Sequence, residues 1–166
     1  MTKAVIVDYK LCSGCRLCEI ACSLEKEKNI SPVNSRIKVY QIPPGLDIPI
    51  LCVQCDRAPC INSCPQKAIE KDKEINAVIF HENECIGCGL CVNACPANAI
   101  FLTSEKKAVK CDLCGGEPKC VEICPTNALS YVNVPFDTRV FAKKPEEIAE
   151  ELCELLGLPI GVNENE

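Results

Sequence analysis

The 166-residue sequence has little of the material from which an ordinary globular core is built. Aromatic residues make up 4% of the chain, and tryptophan is absent. Hydrophobic residues reach 48%, but 17 cysteines supply a large part of that total. Small domains with a thin aliphatic core depend on disulfides or bound metals for their stability. We therefore expect something other than aliphatic and aromatic packing to organise the interior.

The groups that carry most enzyme chemistry are also scarce. The one histidine, His81, lies in an acidic, turn-like stretch, and we interpret it as exposed or locally hydrogen-bonded. The sequence contains no phosphate-binding loop, no dinucleotide fingerprint and no nucleophile–base arrangement. These absences favour a non-catalytic protein over an enzyme.

Other absences bear on location and partners. No apolar run is long enough to cross a membrane, so direct membrane insertion is not expected. The first residues, MTKAVIVD, do not form a secretory signal. A formal net charge of −5 argues against nucleic acid or an anionic membrane surface as a partner. We expect a cytoplasmic protein, because thiols stay reduced there and remain available to metal.

Cysteine is the residue that the sequence has in abundance, and its spacing repeats. The segment CIGCGLCVNACP at 85–96 places three cysteines at every third position, then a fourth cysteine followed by a proline. This is the ligand spacing of a bacterial-type iron–sulfur site. Four such motifs account for sixteen of the 17 cysteines: Cys12, Cys15, Cys18 and Cys22; Cys52, Cys55, Cys60 and Cys64; Cys85, Cys88, Cys91 and Cys95; and Cys111, Cys114, Cys120 and Cys124.

The residues that follow the motifs repeat as well. The segments CPQKAI, CPANAI and CPTNAL come at 64–69, 95–100 and 124–129, whereas Ser23 replaces the proline after the first motif and predicts a longer helix there. One unit of cysteine loop, short helix and strand therefore occurs four times. The expected fold class is α+β, with two bacterial-type two-cluster ferredoxin-like modules of short β-hairpins and short helices, plus a C-terminal helix.

Zinc binding and a disulfide scaffold are the alternatives for so many cysteines. Zinc sites use cysteines in pairs, which leaves the third cysteine of the tight loops that begin at Cys12 and Cys85 without a role. The odd number of cysteines and the missing export signal argue against a disulfide framework. The pattern favours iron–sulfur binding over both.

The four motifs in this order, with wider gaps inside the second and the fourth, resemble the iron–sulfur subunits of the dimethyl sulfoxide reductase type. The resemblance covers about residues 3–133 and implies four [4Fe-4S] clusters, bound by sixteen cysteines through iron. It also implies that the first motif pairs with the fourth and the second with the third. The implied ligand sets are a first quartet of Cys12, Cys15, Cys18 and Cys124, a second of Cys22, Cys111, Cys114 and Cys120, a third of Cys52, Cys55, Cys60 and Cys95, and a fourth of Cys64, Cys85, Cys88 and Cys91.

The same pairing implies a domain organisation. Residues 1–46 together with 103–133 would form an outer module, and residues 47–102 an inner module. Residues 134–166 would form a C-terminal extension with a helix at 145–156, which begins with a proline, has acidic residues in its first turn and is followed by a glycine.

The predicted C-terminal helix carries an apolar stripe. Its members are Ile148, Leu152 and Leu155, with Ala149 and Leu156. We expect this stripe to pack on the protein itself, with docking to a partner subunit as the alternative. The seventeenth cysteine, Cys153, lies beside the stripe and is interpreted as a buried thiol and not a ligand.

In function, the resemblance implies an electron-transfer subunit. It would carry electrons between a catalytic molybdenum or tungsten pterin oxidoreductase subunit and a donor or acceptor such as ferredoxin or a flavin partner. The outer module would face the catalytic subunit. The narrower expectation is the small subunit of a tungsten aldehyde oxidoreductase. The alternatives are a free polyferredoxin and the electron-transfer subunit of a hydrogenase or carbon monoxide dehydrogenase. Four basic residues near the motifs either raise the cluster potentials or are ordinary surface charges: Arg16, Arg57, Lys67 and Lys110.

Overall fold

A computed structural model describes residues 2–159, so the last part of the expected C-terminal extension, 160–166, lies outside the described residues. The strands are β1 (Thr2–Val7), β2 (Lys38–Ile42), β3 (Leu46–Ile50), β4 (Ile69–Lys71), β5 (Val78–Phe80), β6 (Ile100–Leu102), β7 (Ala108–Lys110) and β8 (Leu129–Val134). The helices are α1 (Leu17–Glu27), α2 (Pro59–Asn62), α3 (Leu90–Ala94), α4 (Lys119–Glu122) and α5 (Pro145–Leu156). Short strands and few helices agree with the predicted α+β class.

The strands form four antiparallel pairs, β1 with β8, β2 with β3, β4 with β5 and β6 with β7. The first pair joins the beginning of the chain to the strand after the fourth motif, in a register that runs from Thr2 opposite Val134 to Val7 opposite Leu129. The other three pairs are local hairpins. The β4–β5 and β6–β7 hairpins have strands of three residues each, in keeping with the short β-hairpins expected of the two modules.

The residue after the fourth cysteine of each motif decides how long the helix becomes. Helices α2, α3 and α4 have only four or five residues and end before a Cys-Pro pair, because proline disfavours helical backbone in the residue that precedes it. In the first motif Ser23 stands in place of proline, and α1 continues for 11 residues. The Ser23 hydroxyl donates a hydrogen bond to the carbonyl of Ile20 at 3.0 Å.

The turn after each Cys-Pro pair has the same geometry three times. Lys67, Asn98 and Asn127 have φ angles of 55°, 50° and 55°. Each donates its backbone N–H to the carbonyl of the cysteine three residues earlier, at 3.3 Å. Asparagine adopts this left-handed conformation more readily than lysine. The repeat seen in the sequence is therefore a repeat of backbone structure.

The core is shared between aliphatic residues and cysteines. Helix α1 packs against α4, and α2 packs against α3. The larger of two buried clusters includes Ile37, Ile48 and Leu113, together with cysteines of the first, second and fourth motifs. β3 straddles the expected boundary between residues 46 and 47, so the two expected modules adjoin at the β2–β3 hairpin.

Helix α5 packs on the β2–β3 hairpin. Ile148, Ala149 and Leu152 of the predicted stripe are buried, as is Cys153. The prediction for the other two stripe residues is wrong, because Leu155 and Leu156 are 62% and 50% exposed. Leu155 borders an open cavity instead of a packed surface. No helix in the described part of the chain has the length and apolar character to span a membrane.

Candidate metal centres

The sixteen motif cysteines lie around four separate cavities. Each cavity has a volume of about 320 to 340 Å³ including its open mouth, and each is lined by four cysteines. The groups are Cys12, Cys15, Cys18 and Cys124; Cys22, Cys111, Cys114 and Cys120; Cys52, Cys55, Cys60 and Cys95; and Cys64, Cys85, Cys88 and Cys91. These groups have the same members as the four quartets that the resemblance implies. A cavity between four cysteines suits a cluster of several atoms, whereas a zinc ion bonds its thiolates directly at about 2.3 Å.

Two further observations concern the rest of the molecule. Across residues 2–159, no three His, Cys, Asp or Glu side chains are arranged to hold a single metal ion. A larger cavity, of about 800 Å³ including its open mouth, lies between β1, β3 and α5 and has mainly apolar walls. An ion pair of Lys143 with Glu151, 2.5 Å from nitrogen to oxygen, stands among its lining residues. Sixteen of the 17 cysteines line the four smaller cavities, so the candidate site is there.

Helix packing explains how cysteines from different motifs meet. α1 carries Cys18 of the first quartet and Cys22 of the second, one helical turn apart. α4 carries Cys120 of the second quartet and leads into Cys124 of the first. Because α1 packs against α4, the two helices supply both cavities between them. The packing of α2 against α3 has the same result for the third and fourth quartets.

The cysteine loops direct backbone N–H groups toward sulfur. Gly87 donates to Sγ of Cys85 at 3.4 Å, and Ala99 donates to Sγ of Cys95 at 3.3 Å. Hydrogen bonds of this kind stabilise a thiolate and tune the metal that it binds. A positive φ of 70° at Gly87 makes the tight loop possible. The residues present thus have both the donor atoms and the loop geometry that iron–sulfur ligation requires.

Burial disfavours the thiolate form of most of these cysteines. It raises the pKa of Cys18 and Cys55 to about 12 and that of Cys60 to about 11. Cys124 differs: burial raises its pKa, but hydrogen bonds from Thr126 and from backbone amides outweigh burial and lower it. A thiol bound to metal is deprotonated, so iron would offset the cost of burying these sulfurs.

Charged side chains close one wall of the second cavity. The ammonium of Lys26 lies 2.6 Å from a carboxylate oxygen of Asp112, and the guanidinium of Arg36 lies 3.5 Å from the other oxygen. Although burial raises the pKa of Asp112, the hydrogen bond and charge of Lys26 lower it below its usual value. The Arg36 backbone N–H donates to Sγ of Cys22 at 3.2 Å. The carboxylate of Glu27 lies 3.7 Å from the Arg36 guanidinium, so two cations and two anions balance in this network.

The sequence reasoning did not identify Gln54, which joins the second and third cavities. Its side chain is fully buried, donates to the carbonyl of Cys111 at 3.0 Å and accepts from the backbone N–H of Val78 at 2.8 Å. Its own carbonyl accepts from the hydroxyl of Thr138 at 3.0 Å. The only signal in the sequence was a polar residue inside the segment CVQC, which did not show what the residue would contact.

Arg16, Arg57 and Lys67 are exposed, whereas Lys110 is buried. His81 is partly exposed and lies 2.8 Å from a carboxylate oxygen of Glu70, as the interpretation of a locally hydrogen-bonded histidine expects. Cys153 is 2% exposed and lines none of the four cysteine cavities.

Comparison with known proteins supports iron–sulfur binding. Residues 46–134 match the family described as 4Fe-4S dicluster domain, and residues 9–26 match the family described as 4Fe-4S binding domain. The aliphatic sulfonate oxidoreductase, polyferredoxin-like subunit, of Pyrococcus furiosus is 46% identical over 149 residues and 86% of each chain. An uncharacterized ferredoxin of Methanocaldococcus jannaschii is 39% identical, over 99% of this chain and 90% of that one. The electron transport protein HydN of Escherichia coli is 34% identical, over 80% and 89%.

Proposed function

This chain belongs to the 4Fe-4S dicluster domain family, and from that premise we propose that its four quartets hold a row of clusters between a catalytic oxidoreductase subunit and a separate electron carrier. Relatives are named as electron transport or polyferredoxin-like proteins, and the chain is a non-catalytic iron–sulfur electron-transfer protein. The observation that carries the finer proposal is the division of sixteen cysteines among four cavities of nearly equal volume.

A bound [4Fe-4S] cluster accepts and releases one electron. The chain contributes fixed positions, cover from water and hydrogen bonds to sulfur. Quartets that share a helix pair are neighbours, which supports an order with the first beside the second and the third beside the fourth. Cys111 of the second quartet and Cys52 of the third belong to one buried cluster, and Gln54 joins the two cavities through its hydrogen bonds. The proposed order along the row is therefore first, second, third, fourth.

The module organisation is proposed on the same contacts. The outer module, 1–46 with 103–133, is supported by the pairing of β1 with β8 and by the packing of α1 against α4. The inner module, 47–102, is supported by the packing of α2 against α3 and by a second buried cluster that includes Ile69 and Ile100. Residues 134–166 remain the proposed extension.

The ends of the row are suited to exchange with other proteins. Cys15 of the first quartet and Cys88 of the fourth are exposed. Leu17 stands two residues after Cys15 and is 38% exposed, and Leu90 stands two residues after Cys88 and is 48% exposed. Exposed aliphatic side chains beside a redox centre favour protein contact at both ends. We propose that the first end faces the catalytic subunit and the fourth end faces the carrier, in the cytoplasm.

For the catalytic partner we propose a molybdenum or tungsten pterin oxidoreductase, of which the tungsten aldehyde oxidoreductase type is the narrowest form. The test is anaerobic purification of the native complex, followed by metal analysis of every protein that co-elutes. Tungsten or molybdenum in a companion subunit would support the proposal. Nickel would replace the partner with a hydrogenase or carbon monoxide dehydrogenase. This chain eluting alone with its iron would leave a free polyferredoxin.

The orientation of the row is tested by a matched pair of variants, Leu17→Glu and Leu90→Glu. The two leucines occupy equivalent positions in the loops CSGCRLC and CIGCGLC. We expect Leu17→Glu to release the catalytic subunit, and Leu90→Glu to leave the complex intact while slowing electron transfer to added ferredoxin. Iron content should stay unchanged in both variants. Release by Leu90→Glu and not by Leu17→Glu would reverse the orientation.

A further inference from the structure

Lys110 is a buried cation with an unusual set of partners. Lys110 is 2% exposed, and its Nζ donates to the backbone carbonyls of Val78 and Cys111. The distance from Nζ to the Cys111 carbonyl oxygen is 2.6 Å. Within residues 2–159 it has no carboxylate partner. A buried ammonium that lacks an ion pair is costly, so a charge retained here calls for a compensating anionic group.

The position of Lys110 supplies that group. Val78 lines the cavity of the third quartet, and Cys111 lines the cavity of the second. The ammonium therefore lies between the two middle cavities and is bonded to a wall of each. Cys60 and Cys95 of the third quartet line the same cavity as Val78, and Cys111 itself belongs to the second quartet. Thiolate-bound clusters on both sides would provide the negative charge that the lysine lacks in its direct contacts.

Linking Val78 to Cys111 by hydrogen bonds does not by itself require a charged side chain between the two middle cavities. Gln54 already connects the same two residues with a neutral amide, through its bonds to the Cys111 carbonyl and the Val78 N–H. The lysine adds a second pair of hydrogen bonds and, beyond them, a positive charge. Because reduction makes a cluster more negative, a buried positive charge favours the reduced form and raises the reduction potential.

We propose that Lys110 raises the reduction potentials of the two clusters held by the second and third quartets, and so favours electron passage across the junction between the outer and inner modules. This proposal rests on the proposed function, since it needs clusters in both middle cavities. The lysine would interact with both anionic clusters. It would act on them through its electric field and not by bonding to iron.

The test compares Lys110→Met and Lys110→Gln with the unchanged protein and with Lys110→Arg. Midpoint potentials are measured by redox titration followed by electron paramagnetic resonance on anaerobically prepared protein. Both neutral variants should lower the reduction potentials of two clusters out of four. Lys110→Arg keeps the positive charge and should leave all four potentials close to those of the unchanged protein. Cys15→Ser alters the first quartet and Cys88→Ser the fourth, so these variants identify the signals of the two end clusters. The Lys110 substitutions should leave the potentials of those end clusters unchanged.

Lys119 provides a matched control. It precedes Cys120 as Lys110 precedes Cys111, but its side chain is 39% exposed and pairs with Glu117 and Glu122. Lys119→Gln removes the same charge next to a cysteine of the second quartet, where solvent and neighbouring acids screen it. Its effect on the potentials should be much smaller than that of Lys110→Gln. The shift caused by Lys110→Gln should also persist at about 1 M salt, because buried charges are screened little.

Several outcomes would overturn the proposal. Unchanged potentials in the neutral variants would do so, as would an equal shift of all four clusters or a shift in Lys119→Gln as large as that in Lys110→Gln. If both neutral variants lose iron while Lys110→Arg keeps it, the role of the lysine is structural and the proposal fails. Failure of the proposed function is distinguishable, because it would show in the unchanged protein, either as far fewer than about sixteen iron atoms per chain or as elution without a catalytic partner.

Discussion

Gly87 and Gly89 lie in the same cysteine loop, and replacing each by alanine should have unequal consequences. Both have positive φ, 70° and 75°. An alanine at either position therefore carries the strain of a left-handed backbone, about 1–2 kcal/mol. Arg16 occupies the position in the first loop that Gly89 occupies in the third, at a φ of 58°. A side chain is thus compatible with that backbone conformation.

The space around the two glycines separates them. A Cβ on Gly89 would lie 3.8 Å from the nearest atom, a methyl of Leu102, which is an ordinary contact. A Cβ on Gly87 would lie 2.3 Å from the backbone carbonyl oxygen of Lys106, in the turn between β6 and β7. That turn must move, and overpacking of this kind costs about 1–3 kcal/mol. Gly89→Ala should therefore cost about 1–2 kcal/mol, and Gly87→Ala about 2–5 kcal/mol in total.

The assay is the loss of iron–sulfur absorbance on heating, with iron per chain measured beforehand. The difference of about 1–3 kcal/mol between the two variants corresponds to roughly 3 to 9 °C in apparent melting temperature for a chain of this size. Gly87→Ala should also lose iron from the fourth quartet faster than Gly89→Ala when a chelator is added. Equal melting temperatures and equal rates of iron loss in the two variants would refute the reasoning.

Three further predictions concern single residues. Lys67→Asn should raise the apparent melting temperature by roughly 1 to 3 °C, because asparagine tolerates the left-handed backbone already occupied by asparagine at the two equivalent turns; no increase would contradict this. Thr138→Val removes the donor to the buried carbonyl of Gln54 and should cost about 1–2 kcal/mol, measured by thermal unfolding, and a neutral effect would show that the bond contributes nothing. Cys153→Ser should leave iron content and spectra unchanged, whereas Cys88→Ser should alter one cluster signal; loss of iron in Cys153→Ser would make it a ligand.

Much of the fold was predictable because its signals are local. Cysteine spacing indicated the four loops, and the repeated segments that follow the motifs indicated a repeated unit with a short helix and a strand. The missing proline at Ser23 predicted the longer α1, and proline and glycine marked both ends of α5. Each of these features depends on neighbouring residues, which a single sequence displays directly.

The features that escaped prediction depend on residues distant in sequence. Gln54 contacts Cys111, 57 positions away, and no local pattern reports such a contact. Nothing in its neighbourhood distinguished Lys110 from the exposed basic residues, because burial follows from how the modules meet. The exposure of Leu155 was missed for the same reason, since helical periodicity shows a stripe but not where its packing surface ends.

The most direct test of the central claim is the content of iron and acid-labile sulfide in anaerobically prepared protein. Sixteen cysteines in four cavities predict about sixteen atoms of each per chain, and an uptake of about four electrons per chain in a reductive titration. About four metal atoms per chain without sulfide, with zinc in place of iron, would contradict the account.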